Sequence, residues 1–276
     1  MIRNPSFVID FGEILMQAHS YESIEKHIDE SLENEAFFLN FQPKVFLPSG
    51  DICGYEALLR MPHLDGVYVS PVDVISVAEK NGRIIEIGDF VVREACACIH
   101  TLSKQGIKTP VSFNASASQF KDGFFEHIES QLDFFGISHL GHLLEVEVTE
   151  SVMINDPEAV IAILLKLNNL GVKLAIDDFG VGYSSLNQLK YLPVDHLKID
   201  KTFVDNVETS EKDRIVIKAI VSLAHEFGMK VIAEGIERKH QADWLTKAGC
   251  EMGQGFLFGK PAPFKEIIFK LPPFVS

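Results

Sequence analysis

The chain has 276 residues, 46% hydrophobic and 23% charged, a globular composition that excludes a disordered protein. Lys and Arg total 25 against 39 Asp and Glu, a net charge of −14, so there is no general basic field for a nucleic acid polymer. No stretch of 18 apolar residues occurs, and the opening MIRNPSFVIDFGEILMQ carries two acids where a signal peptide is apolar, so the sequence reads as cytoplasmic with no membrane segment.

In chain order, residues 1–32 read as an N-terminal extension of unassigned role, with a helical pattern through 24–32. From residue 33 to 276 a single domain follows, set by a rhythm of short β-prone runs. These fall at 37–47, 51–60, 111–114, 143–149, 173–177, 196–199, 230–233 and 252–256. Pro48-Ser49-Gly50 reads as a hairpin, which makes one of the first two strands antiparallel to the rest. Helical stretches lie at 71–105 (broken at Asn81-Gly82), 124–135, 157–170, 184–191, 212–227 and 241–248. Gly106, Gly136, Gly171, Gly228 and Gly249 stand near the ends of several, where a left-handed residue closes a helix. Eight strands alternating with helices predict a modified (β/α)8 TIM-type barrel, an α/β fold with one antiparallel strand. An open doubly wound sheet is the alternative, but no G-x-G-x-x-G follows the first strand.

Cysteine and histidine offer little chemistry. Four cysteines agree with a reducing compartment. Cys96 and Cys98 point to different faces of a helix, Cys53 and Cys250 stand alone, and no C-x-x-C or H-E-x-x-H is present. His139 and His142 lack a third ligand nearby, so no structural zinc site is expected.

The acids are more telling. A subset falls at the ends of apolar strands rather than on helix faces. Strand side chains alternate, so Val111 and Phe113 oppose Ser112 and Asn114, and Val146 and Val148 oppose Glu145, Glu147 and Thr149. Leu174 and Ile176 oppose Ala175 and Asp177, and Leu197 and Ile199 oppose Lys198 and Asp200. If the apolar parity meets the helices, Glu56, Asn114, Glu147, Asp177, Lys198 and Glu234 converge on the C-terminal mouth, with Asp178 and Asp200 at the adjoining loop junctions. Two carboxylates ~4 Å apart repel by about 4 kcal/mol at an effective dielectric near 20, and here several surround a single lysine. Protonation or bound cations must relieve them. An oxygen-only donor set suits magnesium or manganese, and adjacent Asp177 and Asp178 suit a pair of ions acting on phosphorus. Taken singly, each acid has an ordinary alternative as a helix cap or surface ion pair; six strand ends together do not.

The motifs then occur in order: Gln42-Pro43, Glu56-Ala57-Leu58-Leu59-Arg60, Asn114-Ala115-Ser116, Glu147-Val148-Thr149-Glu150-Ser151, Asp177-Asp178-Phe179-Gly180-Val181-Gly182-Tyr183-Ser184-Ser185-Leu186, Lys198-Ile199-Asp200, Ala233-Glu234-Gly235-Ile236-Glu237 and Gln254-Gly255. Together, from about Glu33 to Pro261, they closely resemble the EAL-type cyclic di-GMP phosphodiesterase family of bacteria. The resemblance implies metal-dependent hydrolysis of one phosphodiester of cyclic di-GMP, giving linear pGpG, with two Mg or Mn ions activating a water. It implies that Glu56, Asn114, Glu147 and Asp177 hold one ion, and Asp177, Asp178 and Glu234 the other. It places Lys198 on the attacking water, Asp200 on Lys198 or the water shell, and Arg60 on a substrate phosphate. Gln42, Leu59 and Gln254 would line the substrate pocket, Glu150 would brace the loop 178–186, and Glu237 would support the metal site. That loop and the helix after it imply a homodimer. Two departures stand out, Met61 where the family usually has Trp and Ser118 where an Arg is common, and both bear on substrate affinity before catalysis.

Asp178-Phe179-Gly180 also matches the metal loop of protein kinases, but the other kinase segments are missing. The competing reading is a catalytically silent cyclic di-GMP receptor or a protein-interaction module.

Overall fold

The computed structural model describes residues 20–64, 66–121, 123–153, 156–180 and 189–268. Among these, 20–37 with 61–83 form one compact unit, and 38–60 with 84–268 form another.

In the first unit, Ser20 caps α1 (Tyr21–Glu33), its hydroxyl accepting from the Ser23 N–H at 3.2 Å. Ile24 and Ile28, four apart on one face, are buried where α1 packs on α2 (Pro71–Asn81), which buries Val74, Val77 and Ala78. Arg83 Nε donates to Asp29 Oδ1 at 2.8 Å and Asn81 Nδ2 to Glu25 Oε1 at 3.3 Å. The expected break at Asn81-Gly82 is present, because Gly82 takes φ +82° and ends the helix.

The second unit is the barrel. β1 (Phe38–Phe46) and β2 (Ile52–Arg60) form the antiparallel hairpin, with Gln42 opposite Glu56. β3 (Val111–Ala115), β4 (Leu144–Thr149), β5 (Lys173–Phe179), β6 (His196–Ile199), β7 (Lys230–Ala233) and β8 (Met252–Gln254) then follow in parallel. β8 pairs antiparallel with β1 and closes the ring; the two-residue β9 (Ala262–Pro263) adds to β1 outside it. The predicted fold class is therefore the one found. Among the described residues the helices of this unit are α3 (Ile84–Lys104), α4 (Phe124–Phe134), α5 (Pro157–Asn169), α6 (Lys201–Asp205), α7 (Glu211–Glu226), α8 (Lys239–Ala248) and α9 (Phe264–Ile268). Most of the helix expected at 184–191 lies outside the described residues, and α6 is an addition to the expected elements.

Strand parity settles the packing. Leu197, Ile199, Val231 and Ala233 point outward and bury against Ile217, Ile220, Val221 and Ala224 of α7, with Leu245 of α8 completing the cluster. The polar parity is left facing the barrel axis, where Glu56, Glu145, Glu147, Lys44 and Lys198 are all buried. A barrel interior is ordinarily filled by layers of branched aliphatics; here charge fills it. Among the described residues no helix is long and apolar enough to cross a membrane.

Candidate metal centre

Strands β2 to β7 bring polar groups to the mouth. Glu56 comes from β2, Asn114 from β3, Glu147 from β4, Asp177 and Asp178 from β5, Lys198 from β6, and Glu234 directly follows β7. The two adjacent aspartates reach the same place through a bulge. Between Ile176 and Phe179 the strand advances three residues while β6 advances two, from Leu197 to Ile199. Asp178 takes φ +53° at this bulge and lies within β5, not at the loop junction expected from the sequence. One oxygen each from Asp177, Asp178 and Glu234 lies within 4.8 Å of the other two.

The ammonium of Lys198, 1% exposed, sits among four carboxylates. It lies 2.6 Å from Glu234, 3.0 Å from Asp177 and 3.9 Å from Glu56, and it also donates to Glu147 Oε2. Asn114 Nδ2 donates to Glu56 Oε1 at 2.6 Å, and Gln254 Nε2 to Glu56 Oε2 at 2.5 Å and Gln42 Oε1 at 3.0 Å. The sequence pattern places a single lysine in this cluster. The structure adds a second, Lys44, bonded to Glu145 at 2.5 Å and to Glu147 at 2.9 Å.

Negative charge exceeds positive at the mouth. Burial pushes Glu234 up to about 8, with Lys198 opposing the rise and Asp177, Glu56 and Glu147 adding to it. Burial and the neighbouring Asp177 raise Asp178, and burial raises Glu56 against the pull of Lys198. Deeper in, Glu147 behaves in the opposite way: despite burial, Lys198 and Lys44 hold it below the usual range. Burial also works against the charge of Lys198, but the surrounding carboxylates outweigh it and keep the ammonium protonated. Three clustered carboxylates with no thiol or imidazole, two of them reluctant to ionise, fit a hard divalent cation in oxygen coordination. Gln254 Oε1, buried beside them, has no donor among the described residues.

A cleft of about 340 Å³ opens above this cluster, lined by Gln42, Glu56, Leu58, Asp177, Glu234 and Gln254, with Lys201, Glu237 and Phe256 at its side. Leu58, rather than the expected Leu59, lines it, since Leu58 shares the inward parity of Glu56. Arg60 ends the same strand, its Nη1 donating to the Leu59 carbonyl at 2.7 Å, and is not among the lining residues. Asp200 is not a partner of Lys198. Its carboxylate accepts from the Thr202 N–H at 2.9 Å and from the Thr202 hydroxyl, capping α6. Glu147, Asp177 and Glu234 orient Lys198 instead. Glu150 Oε1 accepts from the Gly180 N–H at 3.1 Å. The rest of the expected loop, residues 181–186, lies outside the described residues.

Glu237 is held at 2.9 Å by Lys201, whose Nζ also donates to Asp205 at 2.7 Å. Gly235, φ +67°, lets the aliphatic stem of Lys201 lie against the chain between Glu234 and Glu237; a Cβ there would stand 2.3 Å from Lys201 Cγ. Sequence reasoning misses Lys44, Glu145 and Lys201. For Glu145 the signal is available, since it shares the parity of Glu147.

The family model described as "EAL domain" matches residues 25–261. The chain is 37% identical over 267 residues, 94% of its length, to the bifunctional diguanylate cyclase/cyclic di-GMP phosphodiesterase MucR of Pseudomonas aeruginosa. It is 37% identical over 252 residues, 90% of its length, to the signaling protein YkoW of Bacillus subtilis. It spans only 38% and 31% of those two proteins. Among solved structures, a PaMucR phosphodiesterase in complex with c-di-GMP superposes with a TM-score of 0.84 at 36% identity, covering 88% of this chain and 99% of that one. The EAL enzyme Bd1971, bound to cAMP and cyclic di-GMP, gives 0.86 at 30% identity, covering 94% and 71%. With the strand-end acids in the order of the motifs and the family match over most of its length, the chain belongs to the EAL domain family.

Proposed function

We propose that this domain hydrolyses cyclic di-GMP to linear pGpG in the cytoplasm, using two Mg or Mn ions. The convergence of Asp177, Asp178 and Glu234 within 4.8 Å of one another, beside the Lys198 ammonium, carries the reading. Asp177, Asp178 and Glu234 would hold one ion, and Glu56, Asn114, Glu147 and Asp177 the other. Bound there, divalent ions polarise phosphoryl oxygens and lower the pKa of water toward neutrality. The relatives named as cyclic di-GMP phosphodiesterases support this substrate.

The chain's own groups do the rest. Lys198 keeps a buried positive charge where negative charge gathers on the phosphoryl group. Gln42 and Gln254 line the cleft that the ligand would enter, Gln254 with its Oε1 without a donor among the described residues. Leu58 and Phe256 would give apolar walls for the bases, and Arg60, at the end of β2, would reach a phosphate. Asp200 and Glu237, each fixed to α6, hold the rim. A water oxygen joins phosphorus as one ester bond to a ribose oxygen breaks, and that oxygen leaves with a proton. The loop 178–186, anchored by Glu150, would connect this site to a homodimer interface.

Purified protein incubated with cyclic di-GMP and Mg or Mn is expected to convert it to pGpG, resolved by nucleotide chromatography. Intact substrate with saturable binding would establish a receptor, and no binding at all a protein-interaction module.

A further inference from the structure

Two buried charges in the barrel take no part in the reaction proposed above. Lys44 and Glu145 are each 4% exposed. Lys44 follows Gln42 by two residues on β1, so both face inward, and it pairs with Gly54, two residues before Glu56. It therefore lies one layer beneath the mouth. Its Nζ donates to Glu145 Oε1 at 2.5 Å and to Glu147 Oε1 at 2.9 Å. The other oxygen of Glu147 takes Lys198, and the other oxygen of Glu145 meets His196 Nδ1. Glu147 is thus gripped from two sides, and the lower grip is itself anchored.

Stability does not account for this arrangement. Buried ion pairs are often matched or bettered by apolar side chains of the same volume, and barrel interiors are routinely built that way. What an apolar layer cannot do is fix the rotation of a carboxylate.

We propose that Lys44, braced by Glu145, is a positioning residue that sets which edge of Glu147 is turned to the mouth, and so tunes the site's affinity for a divalent cation. The inference rests on reading the mouth as a metal centre. Supporting groups behind metal ligands typically contribute 10- to 100-fold in affinity.

The test is Mn²⁺ titration of the full chain by calorimetry, without nucleotide, alongside thermal unfolding. The double variant Lys44→Met, Glu145→Gln removes one positive and one negative charge at nearly constant volume, so the net charge of the layer is unchanged and Glu147 keeps Lys198 while losing Lys44. It is expected to fold and to bind Mn²⁺ about tenfold or more weakly than the unmodified chain. A folded double variant with unchanged Mn²⁺ affinity overturns the inference, and so does one that fails to fold, since Lys44 would then serve only the barrel. An unmodified chain that takes up no Mn²⁺ refutes the metal-centre reading itself and the inference with it. Where the unmodified chain does bind Mn²⁺, the metal-centre reading stands and the double variant bears on Lys44 alone.

Discussion

Lys198 Nζ and Glu234 Oε1 meet at 2.6 Å where β6 and β7 run side by side. The contact joins a fully buried ammonium to a carboxylate that burial makes reluctant to ionise, at the rim of the cleft. Charge at the mouth is thus balanced from inside by lysine and left in excess outside, where a cation or a ligand arrives.

Glu56 is proposed above as an ion ligand. Its oxygens accept from Asn114 and Gln254, and Lys198 lies 3.9 Å away. Glu56→Ala is expected to lower turnover of cyclic di-GMP at least about 100-fold, with the circular dichroism spectrum unchanged. Near-normal turnover would remove Glu56 from the metal centre.

Asp178 separates conformation from charge. Asn tolerates the left-handed region about as well as Asp, so Asp178→Asn keeps the bulge while removing a carboxylate that Asp177 repels. The melting temperature is expected to hold or rise as Mn²⁺ affinity and turnover fall. A lower melting temperature with intact Mn²⁺ binding would make Asp178 a structural residue.

Stability should depend on pH in a direction fixed by Glu234. Its ordinary value is 4.5 and in the fold it rises to about 8, so the folded state binds this proton more tightly than the unfolded chain. The resulting stabilisation is complete below 4.5 and is lost as pH climbs through 8. Glu56 and Asp178 shift the same way. In chelator, melting temperatures are expected to fall between pH 6 and 8.5, and added Mn²⁺ should flatten the slope by taking the place of the proton. A chelated protein equally stable across that range would contradict the assignment.

Leu58 and Leu59 offer a matched pair. Leu58 lines the cleft and Leu59 lies on the opposite parity. An apolar contact of this size is worth about 1–3 kcal/mol. Leu58→Ala is therefore expected to raise KM roughly tenfold, and Leu59→Ala to leave it within about twofold. Equal effects would mean that the substrate does not enter this cleft.

Alternation along the strands makes most of the barrel readable. Outward Leu197 and Ile199 and inward Lys198 follow from parity alone, and the strands at 196–199 and 230–233 end where expected. Parity also selects Leu58 over Leu59 and adds Glu145 to the cluster, once it is carried along the whole of each strand. Two features lie beyond it. A bulge breaks the period, so the inward turn of both Asp177 and Asp178 follows from register between strands, not from either strand. Lys44 sits on the reversed strand, where only pairing with Gly54 shows how deep its side chain lies. The five-residue α6 leaves little periodicity to detect, although Asp200 two residues before Thr202 is a cap signal.

The interlocked acids and lysines along the barrel axis also restrict how a chain of this design can diverge. Each lysine is shared among several acids, so deleting one acid shifts the charge balance of the axis while deleting either lysine leaves several buried acids facing one another. A descendant that abandons catalysis is therefore driven toward paired, charge-neutral exchanges, so loss of activity should leave its trace in residues of both signs.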